Sequence, residues 1–383
     1  YPLRRQRQMC IRDSPTAMKT GLIYSIMVMG VYITYKILDF PDLSVDGTFP
    51  LGGFIFAAFS LSPNGFFGIT NPIIGLILAT IGGMLAGYIT GALHVYFDIE
   101  GLLSGILVGT GLHSINFRIN SSSNAIIPGD RSIYEMITYE KYFIIFTVVF
   151  VLLLILKGFY DYKIKENKYV IRTMIVYIII FILLEFYVVS TQDIKLMLTA
   201  LVVFIIKMII DYILTSKFGF ALRALGNNEQ LVVSLGVNEK RLKIFGLMIS
   251  NGLVALSGAL FAQDLKVADL QSGVGTIVVG LAAIILGLGV LKKSRMVNEV
   301  SIIIVGSLLY YCIVNMALMS NNWTQNLYRS LNINENITKI LEVKPTDTKV
   351  ITSVILGIIL WNEYRKKSKK GKNKVKLLEK GEA

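Results

Sequence analysis

Residues 42–53, DLSVDGTFPLGG, decide how the chain is read, because they set two carboxylates, three glycines and a proline inside an otherwise lipid-soluble sequence. Carboxylates, and backbone that does not complete a helix, are tolerated at membrane depth where protein or a water-filled cavity surrounds them. The stretch therefore points to a permeation path. The apolar run 48–61 is too short to cross a bilayer comfortably, and Pro50 with Gly47, Gly52 and Gly53 interrupts it. A broken or re-entrant segment is expected there.

The sequence around this stretch is far more apolar than a soluble domain: 54% of its 383 residues are hydrophobic and only 16% charged, and its mean hydropathy of +0.62 comes from runs of spanning length. The fold class is all-α, a polytopic helical membrane protein. Spans are expected at 21–38, 71–92, 101–117, 142–157, 171–189, 194–214, 243–263, 274–291, 299–319 and 349–362, about ten in all besides the broken segment.

The net charge of +13 does not signal nucleic acid, because of where it sits. From Glu363 to Ala383 nine Lys or Arg face three Glu. The loops 158–172 and 215–242, with Lys292, Lys293 and Arg295, fall on that same side if the spans alternate, which puts both termini in the cytoplasm. The tail reads as a solvated polybasic end, with lipid head-group attraction as a by-product. Residues 1–14, YPLRRQRQMCIRDS, have no apolar signal region and resemble a non-native, adapter-like leader. Residues 15–362 then form the transmembrane domain, with 363–383 as its tail. Two cysteines (Cys10, Cys312) and two histidines (His94, His113) give neither a disulfide framework nor a metal site.

A Gly-Thr step beside a short apolar run occurs twice: Asp42-Leu43 with Gly47-Thr48, and Asp269-Leu270 with Gly275-Thr276. An internal repeat and chance similarity both account for it. Glycines at helical spacing (Gly75, Gly82, Gly83, Gly87; Gly101, Gly105, Gly109) read as close-packing positions.

The polar stretch from 221 is longer than a simple connection needs and should hold its own structure. Gly226, Asn227 and Asn228 give a turn and a helix N-cap, and Leu231, Val232, Leu235 and Val237 can form one apolar stripe of a short amphipathic helix. Such a helix fits a partner's groove or lies on lipid.

At this point the sequence resembles a known family. ALRALGNNEQLVVSLGV (221–237) is similar to the cytoplasmic coupling loop of ABC importer permeases of the branched-chain amino acid and sugar permease superfamily. DLSVDGTFPLGG at 42–53, GLLSGILVGTGLHSINFRI at 101–119 and GVGTIVVGLAAIILG at 273–287 resemble one branch, paired with binding proteins of the aromatic amino acid type. The segments 120–215 and 320–348 match nothing in that pattern.

The resemblance implies a bacterial cell-membrane permease subunit that imports a small solute, by family an amino acid, through alternating access. Its implied partners are a separate ABC ATPase, an extracellular or periplasmic solute-binding protein and a second copy in a homodimer. No cofactor is expected on this chain, which has no GxxxxGK[ST] loop; ATP would be bound by the partner. Arg223, Gly226, Asn228, Leu231 and Leu235 are the implied ATPase-coupling residues, Arg223 also reading as a positive-inside anchor. Asp42, Ser44, Asp46, Gly47 and Thr48 are the candidate substrate-path residues, able to offer carboxylates, hydroxyls and free backbone groups to an amino acid's ammonium and carboxylate. Asp39 and Asp42 equally suit the outer water interface.

The competing reading is an ion-coupled secondary transporter using Glu185, Lys207 and Asp211, although Lys207 and Asp211 are four apart and can simply pair. An intramembrane enzyme lacks support, since no HExxH, GxSxG or paired-aspartate motif falls in the spans.

Overall fold

A computed structural model describes residues 2–61, 71–163, 170–191, 193–291, 298–330 and 350, with scattered positions from 352 to 365. The chain falls into two compact units, 1–311 and 312–383. The helices are α1 (Pro2–Tyr32), α2 (Val45–Leu61), α3 (Pro72–Tyr96), α4 (Gly101–Asn120), α5 (Ile133–Met136), α6 (Tyr139–Lys163), α7 (Val170–Thr191), α8 (Ile194–Thr215), α9 (Lys217–Asn227), α10 (Glu229–Ser234), α11 (Glu239–Leu265), α12 (Thr276–Val290) and α13 (Glu299–Ser330). Two three-residue strands, β1 (Asn124–Ile126) and β2 (Val267–Asp269), and short turns at Ile33–Ile37, Gly129–Arg131 and Leu270–Gly273 complete the described elements.

The all-α polytopic architecture stands. Among the described residues, eight helices are long and apolar enough to cross a bilayer, matching the expected runs except two. The run 101–117 is the 20-residue helix α4, outside that set of eight, and 349–362 is described only in part. The tail 363–383 is described only at Arg365, whose guanidinium sits 4.5 Å from the centre of the Trp361 ring.

The break expected in 48–61 is absent: α2 is continuous from Val45 through Pro50 to Leu61. Pro50 sits in the second turn, so its missing N–H costs only the bond to the Asp46 carbonyl. The backbone of Gly273 packs against that carbonyl and against the Pro50 ring. Seventeen residues span about 26 Å, the short end of bilayer thickness. Gly52 and Gly53 do not unwind the helix because α11 lies directly on them.

Helix α11 is the centre of the first unit, packed on α3, α2 and α1. A methyl group at Gly52 would overlap the Ala255 carbonyl, and one at Gly258 would overlap the Phe49 carbonyl, so α2 and α11 cross backbone on backbone. Serine hydroxyls tie neighbouring helices to carbonyls that close packing exposes: Ser250 Oγ donates to Gly30 O (2.8 Å), Ser257 Oγ to Ile23 O (2.8 Å) and Ser307 Oγ to Gly21 O (2.7 Å). Small residues plus interhelical hydrogen bonds are how helices associate where lipid offers no hydrophobic drive.

The two strands pair antiparallel, Ala125 opposite Ala268, and cap the ends of α2 and α11 over a cluster of Phe54, Phe56, Ala57, Ala125, Ile127 and Ala268. Beside them Glu135 accepts from Lys195 (2.7 Å) and Lys266 (3.0 Å). The Lys195 hydrogen bond, then that of Lys266, hold its carboxyl down to about 2. A carboxyl depressed in the folded state adds stability that is complete above its unfolded value, near 4.5, and is lost as pH falls through about 2. With a third of the side chain exposed, solvent screens the effect and keeps it small. Thermal unfolding in detergent should therefore separate wild type from Glu135→Gln near neutral pH, with the gap closing towards about pH 2. A gap that widens on acidification would refute the assignment.

Candidate functional site

Asp39, at φ 53°, turns the chain out of α1 and its terminal π-turn (Ile33–Ile37) into 42–48. Asp42 is 2% exposed and Ser44 is fully buried. The Asp42 carboxylate accepts from Ser44 N (2.9 Å), Ser44 Oγ (2.6 Å) and Asn251 Nδ2 (2.7 Å), which anchors the start of α2 to the middle of α11. Thr48 Oγ1 bonds back to Ser44 O at 2.9 Å, and Gly47 lies against Gly109 and Leu112 of α4. In this arrangement Asp42, Ser44 and Thr48 face protein.

Asp46 binds the other copy of the repeated motif. Its Oδ1 accepts from Thr276 Oγ1 (2.9 Å) and Ile277 N (3.0 Å), and its Oδ2 from Gly275 N (3.1 Å). Those amides open α12, so a carboxylate of α2 satisfies orphan donors at a distant helix N-terminus, where negative charge is favoured. The motif copies share one local geometry: Asp42 accepts from the amide two residues on, and Asp269 does the same with Gln271 N (2.9 Å). Both aspartates thus act as local turn-formers, and the first Gly-Thr segment is joined to the second through Asp46.

Asn251, Asn116 and Asn120 belong to this site and escaped the sequence reading. Asn116 Nδ2 donates to Gly47 O (3.0 Å) and Asn120 Nδ2 to Phe54 O (3.1 Å), fixing α4 on α2. Their signal is a carboxamide within an otherwise apolar helix, which needs a buried partner.

In the coupling segment, Asn228 caps α10 as its spacing implied, accepting from Leu231 N at 3.1 Å. Gly226 does not make the turn: it lies in α9, pressed against the Ile37 carbonyl, and Gly236 at φ 74° is the left-handed residue. The stripe also differs. Val232 turns inward at 2% exposure, while Leu231, Val233 and Leu235 stand out at 52%, 50% and 71%. Lys243 Nζ to Glu229 at 2.6 Å braces α10 on α11. Arg223 sits 4.0 Å from Glu299, which also accepts from the Tyr32 hydroxyl.

A second polar cluster is buried among α6, α7 and α8. Lys207 pairs with Asp211 (2.6 Å) and Lys157 with Asp161 (2.8 Å), each one helical turn apart. Both ammonium groups lie over the Tyr177 ring, at 5.4 and 5.1 Å, and Asn298 donates to Asp211 (3.3 Å). A cavity of about 430 Å³ opens beside them, lined by Phe159, Tyr160, Met208 and Tyr212. Glu185 is not in this cluster; it lies eight residues beyond Tyr177 on α7, about 12 Å along the axis.

Comparison with known proteins agrees with this architecture. The family described as "Branched-chain amino acid transport system / permease component" matches residues 16–332. The "Tyrosine transport system permease protein" of Clostridioides difficile (strain R20291) is 35% identical over 341 residues, covering 89% of this chain and 88% of that protein. An uncharacterized protein of Rickettsia prowazekii (strain Madrid E) is 29% identical over 311 residues, covering 79% and 88%. No solved structure matches. With a family match across most of its length and a relative above 30% identity over nearly all of it, the chain belongs to the branched-chain amino acid transport system permease family.

Proposed function

We propose that the chain is the membrane subunit of an ATP-driven importer of an aromatic amino acid, tyrosine being the first candidate. It works as a homodimer in the cell membrane, with both termini in the cytoplasm, two copies of a separate ATPase that binds ATP, and a solute-binding protein outside. Family membership supports the transport class, and the C. difficile relative's name supports the solute.

The observation that carries the coupling role is the tip of α10. Leu231 and Val233 on a helix of six residues, and Leu235 at its end, stand exposed, while Asn228, Val232 and the Glu229–Lys243 pair hold that helix in place. An apolar knob on a fixed mount loses its exposure in a groove of the ATPase. ATP-driven closure of the ATPase dimer then pulls α10, and α9 carries the motion to the Ile37 backbone beneath Gly226 and so to α1.

The ion-coupled alternative gains nothing from the buried cluster, since Lys207 and Asp211 neutralise each other and Glu185 stands apart. The test is Leu231→Asp with Leu235→Asp. The double variant should keep a monodisperse membrane peak in detergent but fail to co-purify with the ATPase. Unchanged co-purification and unchanged stimulation of hydrolysis would remove α10 from the coupling.

A further inference from the structure

Helix α4 carries a polar line on its outward face that neither motif absorbs. Its inner face is fixed by Gly105 against the Leu43 amide, Gly109 against the Leu43 carbonyl, and the Asn116 and Asn120 hydrogen bonds, so its rotation about its axis is determined. On the opposite face Thr110, Ser114 and Arg118 follow at intervals of four, with His113 beside them, all exposed. Four-residue spacing puts them on one line, and a 20-residue helix is about 30 Å long, so Thr110 to Ser114 sit near mid-depth. The Thr110 hydroxyl folds back onto Ile106 O (2.9 Å) and Leu107 O (3.0 Å).

The neighbouring helix supplies the contrast. Every large side chain exposed along α3 from Ile73 through Ile81 and Leu85 to Ile89 is apolar or tyrosine, as a lipid-facing surface requires. On α4 the first half exposes only apolar side chains of this kind, Leu102, Leu103, Ile106 and Leu107, whereas in the second half Thr110, His113, Ser114 and Arg118 stand exposed alongside Ile115 and Phe117. An imidazole and hydroxyls at hydrocarbon depth are costly unless water or protein meets them.

We infer that this α4 line, Thr110, His113, Ser114 and Arg118, is the wall of the water-filled path along which the zwitterionic amino acid moves. Hydroxyl and imidazole groups at mid-depth offer a zwitterion hydrogen bonds without a fixed counter-ion, Arg118 meets its carboxylate at one mouth, and the Leu103–Leu107 half is the dry constriction. The aspartates of 42–48 are then the foundation on which this wall is mounted. The inference rests on the importer reading and can fail separately from it.

The test is cysteine accessibility in vesicles holding the full transporter, with Cys10→Ser and Cys312→Ser as background and only variants that retain ATPase-dependent tyrosine uptake. Thr110→Cys and Ser114→Cys should react with a charged, membrane-impermeant thiosulfonate on the order of 10-fold or more faster than Ile77→Cys and Leu85→Cys of α3, as a wet face differs from a lipid face. Excess tyrosine should slow the reaction, and modification should block uptake. Reaction as slow as on α3, or fast reaction that leaves uptake intact, overturns the path assignment while the importer reading stands. Uptake that does not need the ATPase overturns the importer reading whatever the labelling shows.

Discussion

Gly258→Val is expected to leave almost no folded protein in the membrane fraction, because α2 and α11 touch backbone to backbone at this position. Any Cβ at Gly258 overlaps the Phe49 carbonyl, and the reciprocal overlap at Gly52 with Ala255 prevents relief by sliding the helices past each other. The obstacle is main chain rather than the far end of a flexible side chain, so no rotamer change helps. Overpacking of a close-packed interior costs about 1–3 kcal/mol even where side chains can yield, and this site should exceed that range. Even Gly258→Ala should cut the monodisperse peak in size-exclusion chromatography severely. Gly289 meets nothing within 4 Å, so Gly289→Ala is the matched control and should behave as wild type. Equal yields from the two alanine variants would mean that the α2–α11 crossing is looser than described.

Asp42→Ala should be almost as damaging, through polar groups rather than volume. It strands the Ser44 amide and leaves the Ser44 hydroxyl only Asn251 Oδ1 (3.1 Å) and the Asn251 amide only the Leu247 carbonyl (3.2 Å), in a region with 2% exposure or less. Hydrogen bonds to a charged group contribute about 1.5–3 kcal/mol each, and a donor left buried without a partner costs about 1–3 kcal/mol, so a loss of several kcal/mol follows. Asp42→Asn keeps an acceptor for Ser44 but turns a donor towards another donor, and should fall between. Asp39→Asn should be close to neutral, since Asp39 is exposed and its left-handed backbone suits asparagine. Melting temperatures of the three variants in one detergent decide the ranking. Asp42→Ala no worse than Asp39→Asn would mean the network contributes nothing.

What the sequence revealed and what it hid follow physical lines. Eight spanning helices were legible because lipid solubility over about twenty residues is a property of composition alone. The cap at Asn228 was legible because a capping side chain and its amide are neighbours in sequence. The continuity of α2 was not: Pro50 with three glycines reads as a break, and only the backbone of Gly273 and Ala255, more than 200 residues away, shows why the helix persists. Gly226 misled for a similar reason, since contact with Ile37 rather than chain reversal accounts for it. The distant partners, Asn251 of α11 for Asp42 and the start of α12 for Asp46, lie at separations no local pattern encodes.

Those separations bear on how the chain is made. Asp46 finds its hydrogen-bond donors 229 to 231 residues later in the sequence. At a synthesis rate of about 5–20 residues per second, α2 leaves the ribosome on the order of 10 to 50 s before the start of α12 exists. Through that interval the carboxylate has no helix end to bind. The nascent bundle must keep Asp46 in water or against other polar groups until the last third of the chain arrives, so α12 acts as a late keystone, and a ribosome stalled before residue 275 leaves that carboxylate without its partners in a half-built membrane protein.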